Sequence, residues 1–269
     1  MQYSRLMSTL KKEILNLTLQ KAVPGTVLTM RWLAEQGVSK DLARKYVASG
    51  WLERLGRGAY QRKGDTVGWK GAVFSLQTQL NLNVHVAALS TLQLKGQSHF
   101  LAVGHDARVV LFSDGSERLP AWFVKNSWDA LVEHHGVRLF DHQEQPLLSD
   151  IQCQGFSIRS STPECAAFEV LYLVHKNDDF DYALTLFEGF TNFRPAEVQK
   201  LLEACCSVRV KRIFLWMARA CSHPWLKYID QQNVNLGSGK RVVYDGGMLD
   251  RELLITVPRK EYVEVDIGV

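Results

Sequence analysis

The sequence predicts a mixed α/β protein in which an N-terminal winged helix-turn-helix (residues 1–64) precedes a larger mixed α/β domain (residues 65–269). Three observations predict this: a basic N-terminus, two short helical segments there joined by a glycine turn, and alternating helical and strand-like segments after residue 65. Residues 1–63 hold twelve Lys and Arg against four Asp and Glu, a net charge of +8. Because the whole chain carries +4, the rest carries −4. Such asymmetry is typical of a nucleic-acid-binding module joined to another domain.

The bulk composition is that of a folded protein without disulfides or a membrane segment. Its 269 residues suffice for two domains, and 46% hydrophobic with 22% charged residues is ordinary for a globular chain. The five cysteines show no C-x-x-C spacing, which favours buried, reduced thiols over a zinc site. The opening MQYSRLMSTLKKE lacks the apolar core of a signal peptide, and the most apolar helical stretch, Ile213 to Ala218, is too short to cross a bilayer. We expect a soluble, cytoplasmic protein.

The basic end begins with two predicted helices. Pro24-Gly25 ends the first helix, and a short strand is expected at 27–28. Thr29 is placed to cap a second helix over residues 30–36, which Gly37 ends because glycine accepts the left-handed conformation. The first helix is predicted from four apolar residues at spacings of four, four and three: Leu6, Leu10, Ile14 and Leu17.

The third helix is predicted to have one apolar and one basic face. Ser39 can cap it, Asp41 in its first turn suits the helix dipole, and Gly50 ends it. The apolar face comprises Leu42, Ala43, Tyr46 and Val47, and the opposite side carries Asp41, Arg44 and Lys45, with Lys40 at its margin. Two helices joined by a tight turn, the second basic on its outer side, indicate a helix-turn-helix that enters the major groove.

A hairpin follows this helix and is expected to act as the wing. WLERL and AYQR are two short strand-like segments around GRG, whose glycines permit a tight turn with Arg57 at its tip. A solvated basic face or a protein-interaction module is the alternative to DNA binding. The order of helix, glycine turn, basic helix and hairpin favours DNA. The predicted DNA-binding residues are Ser39, Lys40, Arg44, Lys45, Arg54, Arg57 and Arg62.

The sequence resembles the AbiEi-type antitoxins, transcriptional regulators of bacterial abortive-infection (type IV) toxin–antitoxin operons. LAEQGVSKDLARKYVASGWLERLGRGAY resembles their DNA-binding domain, and GWKGAVFSLQTQLNLNVHVAALSTLQLKG resembles the start of their second domain. SVRVKRIFLWMARACSHPWLKYIDQQNVNLGSGKRVVYDGGMLDRELLITVP resembles its end. The resemblance implies a nucleotidyltransferase-type toxin antagonised without a tight complex, and operators with inverted repeats that bind two molecules. It also implies a basic antitoxin face on the second domain, for which Arg209, Lys211, Arg212 and Arg219 are the candidates.

The second domain is predicted to mix helices and strands. Helices are expected at 69–79, 84–96, 162–176, from Pro195, and at 209–221. Strands are expected at 107–113, 122–128 and 136–141, and His134-His135 suits a surface helix end. The chain is expected to close with a hairpin in which RVVYD and ELLITVP flank Gly246-Gly247.

No motif indicates catalysis, a metal or a cofactor. GSGK at 237–240 lacks the earlier glycine of a phosphate loop, where Val234 stands, and Arg241 replaces the Ser or Thr after the lysine. His99 and His105 flank FLAVG and are interpreted as incidental. Glu164 and Glu169, five residues apart, lie on different faces of one helix, which argues against a paired acid site.

The leading hypothesis is a sequence-specific repressor and antitoxin that autoregulates its toxin–antitoxin operon, without enzymatic activity. One alternative is a ligand-sensing winged-helix transcription factor whose second domain binds a small molecule. Another is a DNA-acting enzyme with a winged-helix targeting arm, which paired acids around a metal would favour.

Overall fold

The structure, a computed structural model, describes residues 13–96, 108–141 and 147–259. These residues form two compact units, and the chain passes between them more than once. The first unit contains the described residues up to Val86 together with 108–136 and 150–160, and the second contains the remainder. The predicted boundary at residue 65 stays a prediction. Leu6, Leu10, His99 and His105 lie outside the described residues.

The N-terminal module (residues 13–64) combines three helices with a small antiparallel sheet. Its sheet has the order β1-β3-β2, with Leu28 opposite Tyr60 and Leu52 opposite Arg62. In chain order the elements are α1 (13–21), β1 (Leu28–Thr29), α2 (Met30–Glu35), α3 (Lys40–Ala48), β2 (Leu52–Gly56) and β3 (Ala59–Arg62).

One hydrophobic cluster holds this module together, and it corrects the predicted phase of the first helix. Leu15 is 6% exposed and packs in the core, whereas Leu17, predicted to be on the buried face, is 55% exposed. Other core members are Ala22, Leu28, Leu33, Val38, Ala43, Tyr46, Leu52 and Tyr60. The face of α1 that meets the core is therefore the one carrying Leu15 and Thr18, and Ala22, the residue after the helix, continues it.

The rest of the first unit is built around a five-stranded mixed sheet of order β6-β5-β4-β8-β7. Strand β4 pairs antiparallel with β5 and parallel with β8, and β5 pairs parallel with β6. The elements are α4 (Trp69–Thr78), β4 (Val84–Val86), β5 (Arg108–Ser113), α6 (Ala121–Val124), β6 (Leu131–Gly136), β7 (Leu148–Gln152) and β8 (Ser157–Ser161). Helix α5 (Ala88–Leu94) follows β4 in the chain and belongs to the second unit.

Four sequence predictions fail around this sheet. Residues 84–96 form a strand and then a helix, since Val84–Val86 pairs in the sheet before α5 begins. Residues 122–128 form no strand, because Trp122 and Phe123 belong to α6 and pack with Trp128 in an aromatic cluster. A strand is predicted at 136–141, but the observed strand begins at Leu131 and ends at Gly136. It includes His134-His135, which were predicted to lie at a helix end.

The second unit is mainly helical. Thr162 caps α7 with Pro163 in its first turn, as predicted, and Phe168 of α7 stacks on Phe214 of α10 at 4.3 Å between ring centroids. The elements after α5 are α7 (Pro163–Tyr172), α8 (Asn177–Glu188), α9 (Pro195–Ala204), α10 (Val208–Ala220), 3-10 turns at Pro224–Tyr228 and Gln231–Asn233, β9 (Met248–Asp250) and β10 (Ile255–Val257). The C-terminal hairpin joins β9 to β10, so the predicted hairpin centred on Gly246-Gly247 is wrong.

Candidate nucleic-acid interface

Local capping fixes the relative position of α2 and α3. The Thr29 hydroxyl accepts a hydrogen bond from Trp32 N (3.2 Å), and the Ser39 hydroxyl accepts one from Leu42 N (3.2 Å). Between the helices Gly37 has φ +82°, which only glycine adopts without strain. Val38 is fully buried beside this turn. These signals are local, which is why the sequence predicted both helices.

Helix α3 presents its basic residues to solvent. Ala43 and Tyr46 are buried in the module core, and burial raises the pKa of the Tyr46 hydroxyl. Arg44 and Lys45 are exposed on the other side, and Lys40 is exposed at its margin. This is the division of faces that the sequence predicted.

Arg44 is available to a ligand at little cost. Its guanidinium lies 3.0 Å from the Asp41 carboxylate, with both side chains more than three-quarters exposed. An ion pair this exposed contributes at most about 1 kcal/mol. Arg44 can therefore exchange Asp41 for a phosphate or a guanine edge.

The hairpin is short, and its tip is held against α2. Gly58 has φ +78°, and its carbonyl accepts a hydrogen bond from Met30 N (2.8 Å) at the start of α2. Arg57, one residue earlier, is exposed at this tip. The anchoring bond gives Arg57 a fixed backbone position beside the N-terminus of α2.

The other two hairpin arginines share the face of the sheet that meets the helices. Arg54 pairs across the ladder with Tyr60 and Arg62 with Leu52, and directly opposed residues project to the same side. Arg54 is exposed and donates through Nε to Gly56 O (3.2 Å). Arg62 is half-buried in a cleft beside α1 that Asn16, Leu19, Gln20, Ala22 and Pro24 also line. The Arg62 side chain is therefore partly surrounded by apolar and amide side chains and partly exposed to solvent.

Sequence inspection missed the residues of α4 that support this module. Ser75 Oγ donates to Val27 O (2.7 Å), and the Gln79 amide bonds both Val27 O and Thr29 N. Ser75 is fully buried and Gln79 is 7% exposed. No feature of the sequence marks these two polar residues, since each stands in an ordinary helical pattern.

The four candidates for the basic antitoxin face do not form an exposed face. Lys211 and Arg212 are 4% and 1% exposed, because they lie on the part of α10 that packs into the second unit. Arg209 donates to Val174 O, and burial lowers the pKa of its guanidinium. Arg219 is partly exposed and forms a bidentate pair with Glu252 (2.7 and 2.8 Å). The predicted face is therefore missing its two central members, which are part of the core.

Other candidate chemistry is scarce in the part of the chain that the structure describes. No cluster of three or more His, Cys, Asp or Glu there could hold a metal ion. Likewise, none of the helices in residues 13–96, 108–141 and 147–259 has the length and apolarity needed to span a membrane.

Comparisons with known proteins define first a class, that of transcriptional regulators with an antitoxin role. A family model described as "Transcriptional regulator, AbiEi antitoxin, Type IV TA system" matches residues 106–258, and one for the AbiEi antitoxin N-terminal domain matches residues 11–103. The chain belongs to the AbiEi antitoxin family of transcriptional regulators of type IV toxin–antitoxin systems. No curated protein matches it.

The fold is also similar to a solved structure. The crystal structure of the RV2827C protein from Mycobacterium tuberculosis matches with a TM-score of 0.53 over 94% of this chain and 89% of that one. The sequences are 12% identical, so this likeness concerns the fold alone.

Proposed function

We propose that residues 13–64 are a winged helix-turn-helix through which the protein binds operator DNA and represses its own toxin–antitoxin operon. In this proposal α2 and α3 are the helix-turn-helix, α3 is the recognition helix and the β2–β3 hairpin is the wing. The observation that carries it is the basic face of α3, where Arg44 and Lys45 stand exposed opposite the buried Ala43 and Tyr46, with Lys40 exposed at its margin.

The proposal assigns a role to each basic residue. Lys40, Arg44 and Lys45 contact base edges and phosphates in the major groove, and the Ser39 hydroxyl, whose oxygen caps α3, still has its proton to donate to a phosphate. Arg54, Arg57 and Arg62 contact the backbone or the minor groove beside it. Phosphate contacts supply affinity, while bidentate contacts from Arg to guanine supply specificity.

Membership of the family supports the remaining assignments. We propose that the operator contains inverted repeats, each bound by one molecule. We also propose that the functional partner is a nucleotidyltransferase-type toxin, which the protein antagonises without forming a stable complex. The protein itself acts as a regulator and antitoxin without catalysis.

Binding to the DNA upstream of its own coding sequence tests the proposal. Fluorescence anisotropy would compare that duplex with a shuffled duplex of equal length, for wild type, Arg44→Ala and Lys200→Ala. Lys200 is a matched control because it is an exposed cation of the second unit, 3.7 Å from Glu197. Arg44→Ala should lose about 1–3 kcal/mol of preference for the upstream duplex, while Lys200→Ala should bind as wild type. Equal binding of both duplexes by the wild type would refute sequence-specific recognition.

A further inference from the structure

The second unit buries an arginine that has no acidic partner among the described residues. Arg212 of α10 is 1% exposed, and its guanidinium donates to Leu236 O (2.9 Å), Gly239 O (2.7 Å) and Leu254 O (3.3 Å). A buried guanidinium is normally neutralised by a carboxylate, because removing its charge from water is costly. Carbonyl oxygens accept hydrogen bonds from its Nε and Nη1 but leave a full positive charge in place.

Arg212 also fixes the shape of the loop that covers it. By binding Leu236 O and Gly239 O, it turns these carbonyls inward on either side of Ser238. Gly237 and Gly239 have φ of +60° and +80°, and a Cβ at Gly237 would approach the Val208 side chain to 3.0 Å. The loop is therefore seated closely on the start of α10, and residues 237–241 are exposed on its outer side.

Two more cations lie in this loop. Lys240 and Arg241 are exposed, and neither forms an ion pair within the described part of the chain. The charge of Arg241 reaches Arg212, since burial first and Arg241 second lower the pKa of the Arg212 guanidinium. Like charges repel each other, so an anion bound between the loop and solvent would relieve the repulsion.

We propose that the loop of residues 237–241 binds phosphate groups, with Lys240 and Arg241 as ligands and Arg212 holding the loop in shape. Guanidinium and ammonium groups are the side chains that bind phosphate most strongly, and glycine lets the backbone approach an anion closely. Because the loop departs from the Walker A pattern at Val234 and Arg241, the proposal includes no nucleotide hydrolysis. This site goes beyond the proposed operator binding and lies in the other unit of the chain.

Phosphate groups occur in two kinds of ligand, polynucleotides and free nucleotides, and the test distinguishes between them. The full chain would carry Arg44→Ala and Lys45→Ala, so that α3 contributes less to nucleic-acid binding. Two probes would be used without added metal, a labelled single-stranded RNA of twelve nucleotides and a labelled nucleoside triphosphate. In this background Lys240→Ala/Arg241→Ala would be compared with Arg138→Ala/Lys200→Ala, which removes two exposed cations from the same unit.

If the proposal holds, Lys240→Ala/Arg241→Ala weakens binding of at least one probe about tenfold or more, while the control double variant does not. For RNA, the dependence of log K on log salt should also become shallower by about 1.4, at roughly 0.7 for each phosphate that the variant no longer binds. Loss of RNA binding alone identifies a polynucleotide as the ligand, and loss of triphosphate binding identifies a nucleotide. The proposal is overturned if neither probe binds, or if the two double variants bind alike. Operator binding by the wild type is measured separately, so its failure would not be confused with failure here.

Discussion

The side-chain amide of Gln79 forms hydrogen bonds to the backbone at β1 of the kind that a neighbouring strand would form. Its Oε1 accepts from Thr29 N (2.8 Å) and its Nε2 donates to Val27 O (2.7 Å), two backbone groups on the edge of β1 that faces away from β3. Two positions earlier on α4, Gln77 bonds the backbone of Arg159 in β8 in the same way, with N to Oε1 at 2.8 Å and Nε2 to O at 3.1 Å. Helix α4 therefore ties the N-terminal module to the central sheet.

Gln79→Leu should destabilise the first unit by about 1–3 kcal/mol. The substitution keeps an elongated side chain but leaves Thr29 N without its bond to the amide oxygen, and unsatisfied buried donors cost this much. Because Thr29 also caps α2, the amide of residue 29 should exchange faster with deuterium. Urea denaturation and hydrogen exchange would measure the two effects.

Gln232→Leu is a suitable control for that experiment. Gln232 is exposed in the second unit, and a change there should alter the free energy of unfolding by less than about 0.5 kcal/mol. Equal stability and equal exchange at residue 29 in the Gln79 and Gln232 variants would show that α4 does not support β1.

Gly71→Ala should also destabilise the protein, although alanine has a higher helix propensity than glycine. Alanine in an exposed helix is favoured over glycine by about 1 kcal/mol. At residue 71, however, a Cβ would lie 1.9 Å from Gly25 O, a backbone atom in the turn before β1. Overpacking of this kind costs about 1–3 kcal/mol, so the midpoint of thermal unfolding should fall.

Gly115→Ala gives the comparison for Gly71, because the nearest atom to its Cβ would be Gly136 O at an ordinary 3.6 Å. That variant should unfold close to the wild-type temperature. A Gly71→Ala protein as stable as the Gly115→Ala protein would mean that α4 can move away from the turn freely.

The sequence predicted helices α2 and α3 of the N-terminal module well because their signals are local. Thr29 and Ser39 cap helices through hydrogen bonds to residues three positions ahead, and Gly37 and Gly50 end helices with positive φ. Such interactions depend only on neighbours in the chain. The buried face of α1 was predicted wrongly at Leu17, although Ile14 packs against the core, since the choice between Leu15 and Leu17 depends on packing against distant residues such as Leu52 and Tyr60.

Elements fixed by distant partners could not be predicted in the same way. Residues 131–136 form a strand because all six pair in parallel with β5, although His134-His135 lacks a strand-like pattern. The burial of Arg212 likewise depends on carbonyls 24 to 42 residues later in the chain. A basic residue that stands at the spacing of buried apolar residues does not indicate whether a loop later in the chain will cover it.

Acid should weaken the second unit through Glu164. Burial raises the pKa of this carboxyl, but bonds from Arg194 N, Nε and Nη2 (3.2, 2.9 and 3.1 Å) outweigh it, so the pKa is lowered. Ionised Glu164 therefore stabilises the fold above its unfolded pKa of about 4.3, and this stability is lost as the pH falls through the lower folded pKa.

Glu164→Gln should reveal that contribution. At pH 7 it should cost about 1 kcal/mol, at the low end for a charged hydrogen bond because Arg194 is 59% exposed. The difference from wild type should shrink toward pH 3, as measured by urea denaturation at several pH values. Glu188→Gln, at an exposed position, is the control for replacing a carboxylate, and a constant difference for Glu164→Gln would contradict the assignment.

Arg57→Ala should weaken DNA binding without changing sequence preference, in contrast to Arg44→Ala. Arg57 stands at a hairpin tip whose backbone is anchored by the bond from Met30 N to Gly58 O, a position suited to a phosphate contact. Removing a phosphate contact lowers affinity for all duplexes alike and makes the slope of log K against log salt shallower by about 0.9. Anisotropy titrations from low to moderate salt would measure the slope, with Arg219→Ala as a control because that residue pairs with Glu252 in the second unit. An unchanged slope, or a weakening confined to the upstream duplex, would mean that the hairpin tip does not contact the phosphate backbone.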